Sequence, residues 1–390
     1  MSFFNEFKGL LKQNIREYGM YIALAVIMII FSIATNGVFI SSRNISNLIN
    51  QTGYVAVLAV GMTLVIVIRH IDLSVGFLAG FLGAIVAILL TKFNVPVIVA
   101  IIVALLLGLL IGLFNGYLVA NVGIPAFVAT LAGMLVFRGA LLLATEKTGT
   151  IIIPNPSFNA IGNGFIPDIA NIKGVHVLTI ILGIMAILFY VWSEFNTRKN
   201  KMKYNFEVVS YKMFIAKLVF VSAIIAYITF ILSGYNGLSW TVVIVIIVTA
   251  LYHVITTKTT LGRHIYAVGG NPEAAKLSGI DVSKITLIVF GSMGTLAALS
   301  GILYSARLQS ATTTAGTLFE LDAIAAAYVG GVSAAGGVGK ITGSIIGAFV
   351  MSSLTSGMNL MGVGISYQYI IRGAVLAAAV IFDVKTRNKR

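Results

Sequence analysis

Cysteine is absent from the 390 residues, and charged residues are scarce. Without cysteine the chain has no disulfide bond, no thiolate nucleophile and no zinc–thiolate site. The four histidines (His70, His176, His253 and His264) lack the spacing of metal ligands. The sequence also shows no activated nucleophile and no acid–base pair. We therefore expect no catalytic residue, no metal and no cofactor in this chain.

Charged residues make up only 10% of the chain, whereas hydrophobic residues make up 58%. Soluble domains carry about 25% charged residues. Here apolar runs of about 20 residues recur, and a helix of that length crosses the roughly 30 Å hydrocarbon core of a bilayer. The sequence therefore predicts an all-α integral membrane protein that forms a single transmembrane domain over residues 1–390.

The apolar runs predict about twelve transmembrane helices. Windows of about 19 residues give eleven of them. These eleven are residues 18–40, 52–68, 74–91, 95–120, 124–144, 177–194, 214–232, 237–257, 285–306, 341–361 and 366–384. A twelfth stretch, 317–335, is apolar on balance, but it begins with acidic residues and is interrupted at Gly330–Gly331. We expect it to cross as a broken helix.

The basic residues predict the orientation. The formal net charge is +14, and in membrane proteins Lys and Arg concentrate in cytoplasmic loops. Lys8, Lys12 and Arg16 place the N-terminus in the cytoplasm, and the basic tail at 385–390 favours the same side. An even number of crossings satisfies both ends, which favours twelve spans over eleven. We expect no nucleic-acid partner, because membrane topology accounts for the positive charge.

Residues 177–232 have the character of an inserted helical hairpin. Removing its two spans leaves a ten-helix core with unchanged orientation, because two crossings cancel. The spans enclose a strongly basic segment, FNTRKNKMKYNFEVVSYKM, at 195–213. This segment is either a solvated cytoplasmic loop or a contact for anionic membrane lipid.

The polar segment 258–284 predicts a short capped helix on the cytoplasmic side. Asn271 fits the N-cap and Pro272 the first helical position, Glu273 complements the helix dipole, and Gly279 fits the C-terminal cap. The helix is either an isolated surface element or a docking site for another protein. In the docking case, the contact side would comprise Ala274, Ala275, Leu277 and Ile280, and the rim would comprise Glu273, Lys276 and Asp281.

The spacing Glu273-Ala274-Ala275-x-x-x-Gly279 resembles the EAA loop of permease subunits in ATP-binding-cassette (ABC) importers. The surrounding GRHIYAVGGNPEAAKLSGI is similar to the ribose/xylose/galactose branch of that family, and so are IDLSVGFLAG (71–80) and the segments 320–348 and 356–380. The 177–232 insertion resembles the longer xylose or multiple-sugar type. The resemblance implies ATPase-coupling roles for Gly262, Arg263, Gly270, Asn271, Pro272, Glu273, Ala274, Ala275 and Gly279.

The same resemblance implies a permease in the inner membrane of a bacterial cell that imports a small neutral sugar by alternating access. The sugar would be a pentose, such as xylose or ribose, or a hexose. The implied partners are a second copy of the chain, a separate ATPase and an extracytoplasmic sugar-binding protein. The chain itself is then not an enzyme. Its GGVGKIT segment (336–342) fails the phosphate-loop pattern, because Ala334 and Ile341 replace the required Gly and Ser or Thr.

Polar residues within the spans are candidates for the translocation path, because ionisable and polar groups are costly in the membrane. The candidates are Asp72, Ser74, Asn115, Thr130, Glu320 and Asp322. Asp72 either forms a local ion pair beside Arg69 and His70 or belongs to a broken helix near the path. The two acidic residues at 320 and 322 either sit in water at a helix start or form part of an outer gate. Arg138 and Arg372 lie near span ends, from which they can extend to the interface.

Two other classes of transporter remain open from the sequence. An ABC permease for a nucleoside or a branched-chain amino acid would share the same loop. An ion-coupled secondary transporter typically carries carboxylates or histidines near the bilayer midplane. In this sequence the carboxylates cluster at the span ends, which argues against the secondary transporter.

Overall fold

The computed structural model describes residues 15–387 apart from 171 and 173. Lys8 and Lys12 of the predicted basic N-terminus and residues 388–390 of the predicted basic tail lie outside the described residues. The long helices are α1 (Ile15–Ala34), α2 (Ser42–Val67), α3 (Val75–Thr91), α4 (Val97–Ala120), α5 (Ala126–Thr145), α7 (Val177–Lys203), α8 (Tyr211–Ser233), α9 (Trp240–Lys258), α12 (Val282–Leu308), α14 (Ile341–Leu360) and α15 (Ile365–Arg387). The shorter elements are a 3₁₀ turn (Val38–Ile40), β1 (Thr150–Ile152), α6 (Pro156–Asn163), α10 (Thr260–Gly270), α11 (Pro272–Leu277), β2 (Ser310–Thr312) and α13 (Phe319–Val329).

Helix length and composition confirm the all-α, multi-pass class. Within the described residues, nine helices are long and apolar enough to cross a bilayer. Two further apolar helices, Gly19–Ala34 and Val75–Thr91, are slightly shorter. The predicted start of the span 52–68 was wrong by ten residues. Helix α2 begins at Ser42, because the side chain of Ser41 accepts a hydrogen bond from the Asn44 amide, and its polar first turns hid that start.

The predicted broken crossing over 317–335 contains helix only at α13. Its 11 residues extend about 16 Å, roughly half of a bilayer core, so the segment needs non-helical backbone on both sides. Two such discontinuities exist: the turn at 313–318 before α13 and the loop at 330–340 after it. A third non-helical stretch lies elsewhere in the chain, at 68–74, where it separates α2 from α3.

The core of the bundle consists of α2, α3, α12, α13 and α14, whose residues are mostly buried. Helices such as α4 and α15 cover this core and expose apolar side chains on their outer faces. Helix α4 lies against α12 through a row of glycines spaced four residues apart: Gly108, Gly112 and Gly116. A Cβ atom at Gly108 would lie closer than 3.0 Å to the carbonyl oxygen of Gly294, so only glycine permits this approach.

The two ends of the bundle carry different elements. At one end, called here the strand end, β1 pairs antiparallel with β2, with Thr150 opposite Thr312. The short helix α6 lies beside them, and the Asn163 side chain donates to the Ala306 and Arg307 carbonyls at the end of α12. None of these elements was predicted from the sequence. The opposite end, called here the α11 end, carries α10 and α11.

Helices α7 and α8 form the predicted hairpin, but its basic segment is mostly helical. Helix α7 continues through the basic residues to Lys203, and α8 resumes at Tyr211, so only 204–210 are non-helical. The expectation of a 195–213 loop was therefore wrong, because a helix already begun extends readily through Lys, Arg and Asn. Lys217 of α8 donates to Glu194 of α7 at 2.8 Å and ties the two helices together.

Candidate functional site

The segment 68–74 connects the α11 end to the interior of the bundle. Arg69 adopts a left-handed backbone conformation (φ 66°) and directs its side chain toward the last turn of α10. Its Nε donates to the Gly269 carbonyl at 2.7 Å, and its Nη2 donates to the Gly270 carbonyl. A guanidinium is well suited to this position, because the carbonyls at a helix C-terminus carry partial negative charge. The expected local ion pair with Asp72 is not among the ion pairs of the described residues.

The loop 330–340 closes over the same junction. The Gly337 amide donates to the Val67 carbonyl at 2.8 Å, and the Tyr266 hydroxyl donates to the Gly339 carbonyl at 2.6 Å. Burial raises the pKa of Tyr266, which keeps the hydroxyl proton available for donation. A Cβ atom at Gly269 would lie closer than 3.0 Å to both the Val67 oxygen and the Gly337 nitrogen. The α10 terminus, the end of α2 and the 330–340 loop are therefore held in one tight contact.

Four of the predicted path residues come together just beyond this junction. Asp72 is 3% exposed, and its Oδ1 accepts from the Ser74 amide at 2.9 Å and the Ser74 hydroxyl at 2.6 Å. The Asn115 amide donates to Ser74 Oγ at 3.1 Å, and Thr130 Oγ1 lies 3.3 Å from the Ile71 carbonyl. These bonds satisfy non-helical backbone in the interior and fix the start of α3 against α4 and α5.

Among the described residues, the other two predicted path residues share no hydrogen bond with that cluster, and their surroundings differ from each other. Glu320, in the first turn of α13, is only 5% exposed, so it does not sit in water at a helix start. Asp322 forms an ion pair with Arg372 of α15. Arg372 was expected to reach the interface; instead it pairs within the bundle, because the charged pair costs less than a lone charge.

Glu320 lies at a cleft of about 350 Å³ at the strand end. The cleft lies between α3, α5 and the turn that precedes α13, and its lining is Phe77, Met134, Arg138, Leu142, Thr313, Thr314, Thr317, Leu318 and Glu320. Arg138 is exposed, and its guanidinium carbon lies 5.6 Å from the centroid of the Phe77 ring. Gly76 permits the approach of α13, because a Cβ atom there would lie closer than 3.0 Å to the Glu320 side chain.

Helix α11 has the predicted caps. The Asn271 side chain accepts from the Ala274 amide at 3.1 Å, and Gly279 has a φ of 83°, which favours glycine. Its predicted contact side is only partly available. Leu277 is 90% exposed, whereas Ala275 is 4% exposed and packs into the core of this chain. Ala275 therefore holds the helix in place, and Leu277 presents its apolar side chain to the surroundings.

Helix α10 was missed at the level of sequence, although Gly262, Arg263 and Gly270 within it were among the predicted coupling residues. Thr259 caps α10 by accepting from the Gly262 amide, and the Gly262 backbone lies against the end of α9. Arg69, Gly269 and Gly337 meet only in three dimensions, because 68 to 268 residues separate them along the chain. The local signals for α10 are its Thr cap and an apolar spacing at Leu261, Ile265 and Val268.

The chain is similar to known proteins over nearly its whole length. A family model described as "Branched-chain amino acid transport system / permease component" matches residues 44–380. The chain is 41% identical over 377 residues to the xylose transport system permease protein XylH of Haemophilus influenzae, covering 96% of this chain and 98% of that one. It is 38% identical over 383 residues to XylH of Escherichia coli K12, covering 98% and 95%. It is 32% identical over 371 residues to the ribose import permease protein RbsC of Bacillus subtilis, covering 95% and 93%. No solved structure matches the chain.

Proposed function

The chain belongs to the family of branched-chain amino acid transport system permease components, and we propose that it is the membrane-spanning subunit of an ABC importer of a small neutral sugar. The single observation that carries the proposal is similarity along nearly the full chain to permeases named for xylose and ribose. We propose a pentose as the cargo, with a hexose as the alternative. The protein then resides in the inner membrane of a bacterial cell.

Helix α11 is the proposed docking site for a separate ATPase. It is exposed, capped at both ends and carries Leu277, whose apolar side chain is 90% exposed. An exposed leucine flanked by Glu273 and Lys276 has the composition of a small interface with an apolar centre and a polar rim. The α11 end is then the cytoplasmic end, and the strand end faces an extracytoplasmic sugar-binding protein.

The junction at Arg69 supports a route for coupling. A displacement of α11 moves the end of α10, because only Asn271 separates the two helices. The end of α10 is bonded to Arg69, which lies three residues before Asp72 in the segment that leads to Gly76 and Glu320. Movement of the ATPase would thereby reach the interior of the bundle through bonded contacts.

We infer that transport proceeds by alternating access in a dimer of this chain. Closure of two ATPase subunits on ATP would push both α11 helices and open the path to the strand end. Hydrolysis would reverse the movement and release sugar into the cytoplasm. The discontinuities around α3 and α13 provide non-helical backbone at which such a change can occur, since interrupted helices border the sites of many transporters.

The test is reconstitution of the complete transporter. The chain is co-expressed with a candidate sugar-importer ATPase, purified in mild detergent and placed in liposomes with the binding protein. ATP-dependent uptake of labelled xylose or ribose, together with hydrolysis stimulated by the loaded binding protein, is the expected result. Uptake that follows a proton or sodium gradient without ATP would identify a secondary transporter and overturn the proposal.

A further inference from the structure

The cleft at the strand end contains a buried carboxylate with one unpartnered oxygen. Glu320 is 5% exposed, and its Oε2 has no hydrogen-bond partner in the described part of the chain. A buried carboxylate oxygen without a donor carries a desolvation cost that nothing in the protein offsets. Most buried polar atoms in proteins are bonded, so each exception calls for a physical reason. A ligand that brings hydrogen-bond donors into the cleft would supply such a reason.

The remaining lining of the cleft has the chemistry of a site for a neutral polyol. Thr314 and Thr317 are exposed at the rim. The Thr317 hydroxyl donates to the Thr314 carbonyl at 2.7 Å, and its oxygen can still accept a hydrogen bond from a ligand. The buried ring of Phe77 forms an apolar wall, and Arg138 adds donors at the mouth. Small-molecule sites combine such apolar walls with a few polar groups and occupy about 300–1,000 Å³, which includes this cleft of about 350 Å³.

The charges in the cleft favour a neutral ligand. A carboxylate at Glu320 repels an anion, and the guanidinium of Arg138 repels a metal cation. A sugar hydroxyl meets neither repulsion, because it donates to the carboxylate and accepts from the guanidinium. The position of Glu320 is also constrained: Gly76 leaves no room between the two segments, so the carboxylate is held beside the interrupted start of α3.

We propose that this cleft is a sugar-binding subsite of the permease, in which Glu320 accepts hydrogen bonds from two neighbouring hydroxyls and Phe77 covers an apolar face of the ring. The proposal rests on the proposed function for its choice of a sugar as the ligand. Glu320 is then the residue that receives sugar from the binding protein at the strand end. Asp322, although two residues away, has no such role, because it is already paired with Arg372.

The absence of cysteine permits a direct test of occupancy. Thr317→Cys places a single thiol at the rim of the cleft, and a membrane-impermeant maleimide reports its accessibility in the reconstituted transporter. With xylose or ribose at about ten times the dissociation constant, labelling should slow about tenfold, because a bound sugar covers the thiol. Thr148→Cys, exposed at the same end but outside the cleft, should label at an unchanged rate.

The role of the Glu320 carboxylate is tested in the protein that carries Thr317→Cys. Glu320→Gln preserves size but weakens the acceptor, so the sugar concentration that gives half protection should rise about tenfold. Glu146→Gln, an exposed acid at the strand end, should leave that concentration unchanged. Thr317→Val provides a second, uncharged change at the cleft and should raise the KM for uptake with little effect on Vmax.

The outcomes separate this inference from the proposed function. Normal ATP-dependent sugar uptake without any protection of the thiol in Thr317→Cys overturns the subsite and leaves the importer intact. Protection by sodium chloride alone, compared with choline chloride and without sugar, identifies a cation site and also overturns the subsite. If the assembled transporter takes up no sugar, the proposed function fails. Sugar-specific protection that Glu320→Gln weakens and Glu146→Gln does not supports the subsite.

Discussion

Arg69 binds the carbonyl oxygen of Gly269 at 2.7 Å, although 200 residues separate the two in the chain. The bond joins the end of α2 to the last turn of α10, directly before the exposed helix α11. Because Arg69 adopts a left-handed backbone conformation, the segment that follows it leaves α2 at an angle that a helix does not permit. This contact is the physical link between the proposed ATPase site and the interior of the bundle.

Replacing Arg69 should uncouple ATP hydrolysis from transport. Arg69→Gln retains a donor but loses the positive charge and the ability to donate to the Gly269 and Gly270 carbonyls together. Hydrogen bonds from charged groups contribute about 1.5–3 kcal/mol. We expect stimulation of hydrolysis by the loaded binding protein to fall about tenfold, while the complex with the ATPase still forms. The measurement compares ATPase rate and uptake in the same liposomes. Arg43→Gln, at the strand end and exposed, is the control; an equal loss there would contradict the prediction.

Of two adjacent glycines at the end of α10, only Gly269 should be sensitive to replacement by alanine. Gly269→Ala places a methyl group closer than 3.0 Å to the Val67 carbonyl and the Gly337 amide, so backbone must move. Gly270→Ala meets no atom within 4 Å. We expect Gly269→Ala to lower the unfolding midpoint and uptake, with a cost of about 1–3 kcal/mol typical of overpacking, and Gly270→Ala to retain both. Thermal unfolding in detergent and uptake assays check this, and equal behaviour of the two variants would refute the contact.

Removal of the exposed apolar side chain on α11 should weaken ATPase binding. Leu277→Ser changes no contact in the folded chain, because the side chain is 90% exposed. If the leucine is buried by the ATPase, its loss should cost about 2 kcal/mol, or roughly thirtyfold in affinity. Titration of the labelled ATPase measures this change. Val338→Ser, half exposed in the loop at the same end, is the control, and an unchanged affinity for Leu277→Ser would place the ATPase elsewhere.

The glycine row on α4 should be more sensitive than a glycine that faces outward. Gly108→Ala directs a methyl group into the Gly294 backbone and the Ala298 side chain. We expect it to destabilise the folded protein by about 1–3 kcal/mol, since well-packed helices cannot separate without losing other contacts. Gly139→Ala in α5 meets nothing within 4 Å and serves as the matched control. A comparison of unfolding midpoints in one detergent decides the point, and equal midpoints would argue against close packing of α4 on α12.

Asp168 should make the base of the α7–α8 hairpin sensitive to acid. Burial raises the pKa of Asp168, but three backbone amides, of Leu178, Val177 and Ile169, together with His176, lower it below its ordinary value. Because the pKa of Asp168 is lower in the folded state, its ionisation stabilises the folded protein at pH values above its pKa in the unfolded chain, about 3.9. This stabilisation is lost as the pH falls through the pKa of the folded state. Asp168→Asn should therefore lower the unfolding midpoint at pH 7, and the difference should shrink below pH 4. A difference independent of pH would contradict the assignment.

The class of the protein and much of its local structure follow from local patterns in the sequence. Apolar runs near 20 residues require helices in a bilayer, because every backbone group must be bonded within the segment. The caps of α11 at Asn271 and Gly279 were also predictable, since capping depends on neighbouring residues alone. The polar start of α2 and the helical extension of α7 were not predictable, because hydropathy identifies segments that contact lipid and does not detect polar turns of helix.

Which polar residues act together depends on how the helices pack. Asp72, Ser74, Asn115 and Thr130 were predicted individually, and their common cluster depends on the packing of α3, α4 and α5. No local pattern distinguishes Glu320 from Asp322, which lie two residues apart on one helix. Packing places Arg372 beside Asp322 and an open cleft beside Glu320. Distant contacts of this kind depend on which helix faces meet, and local patterns in the sequence do not reveal that choice.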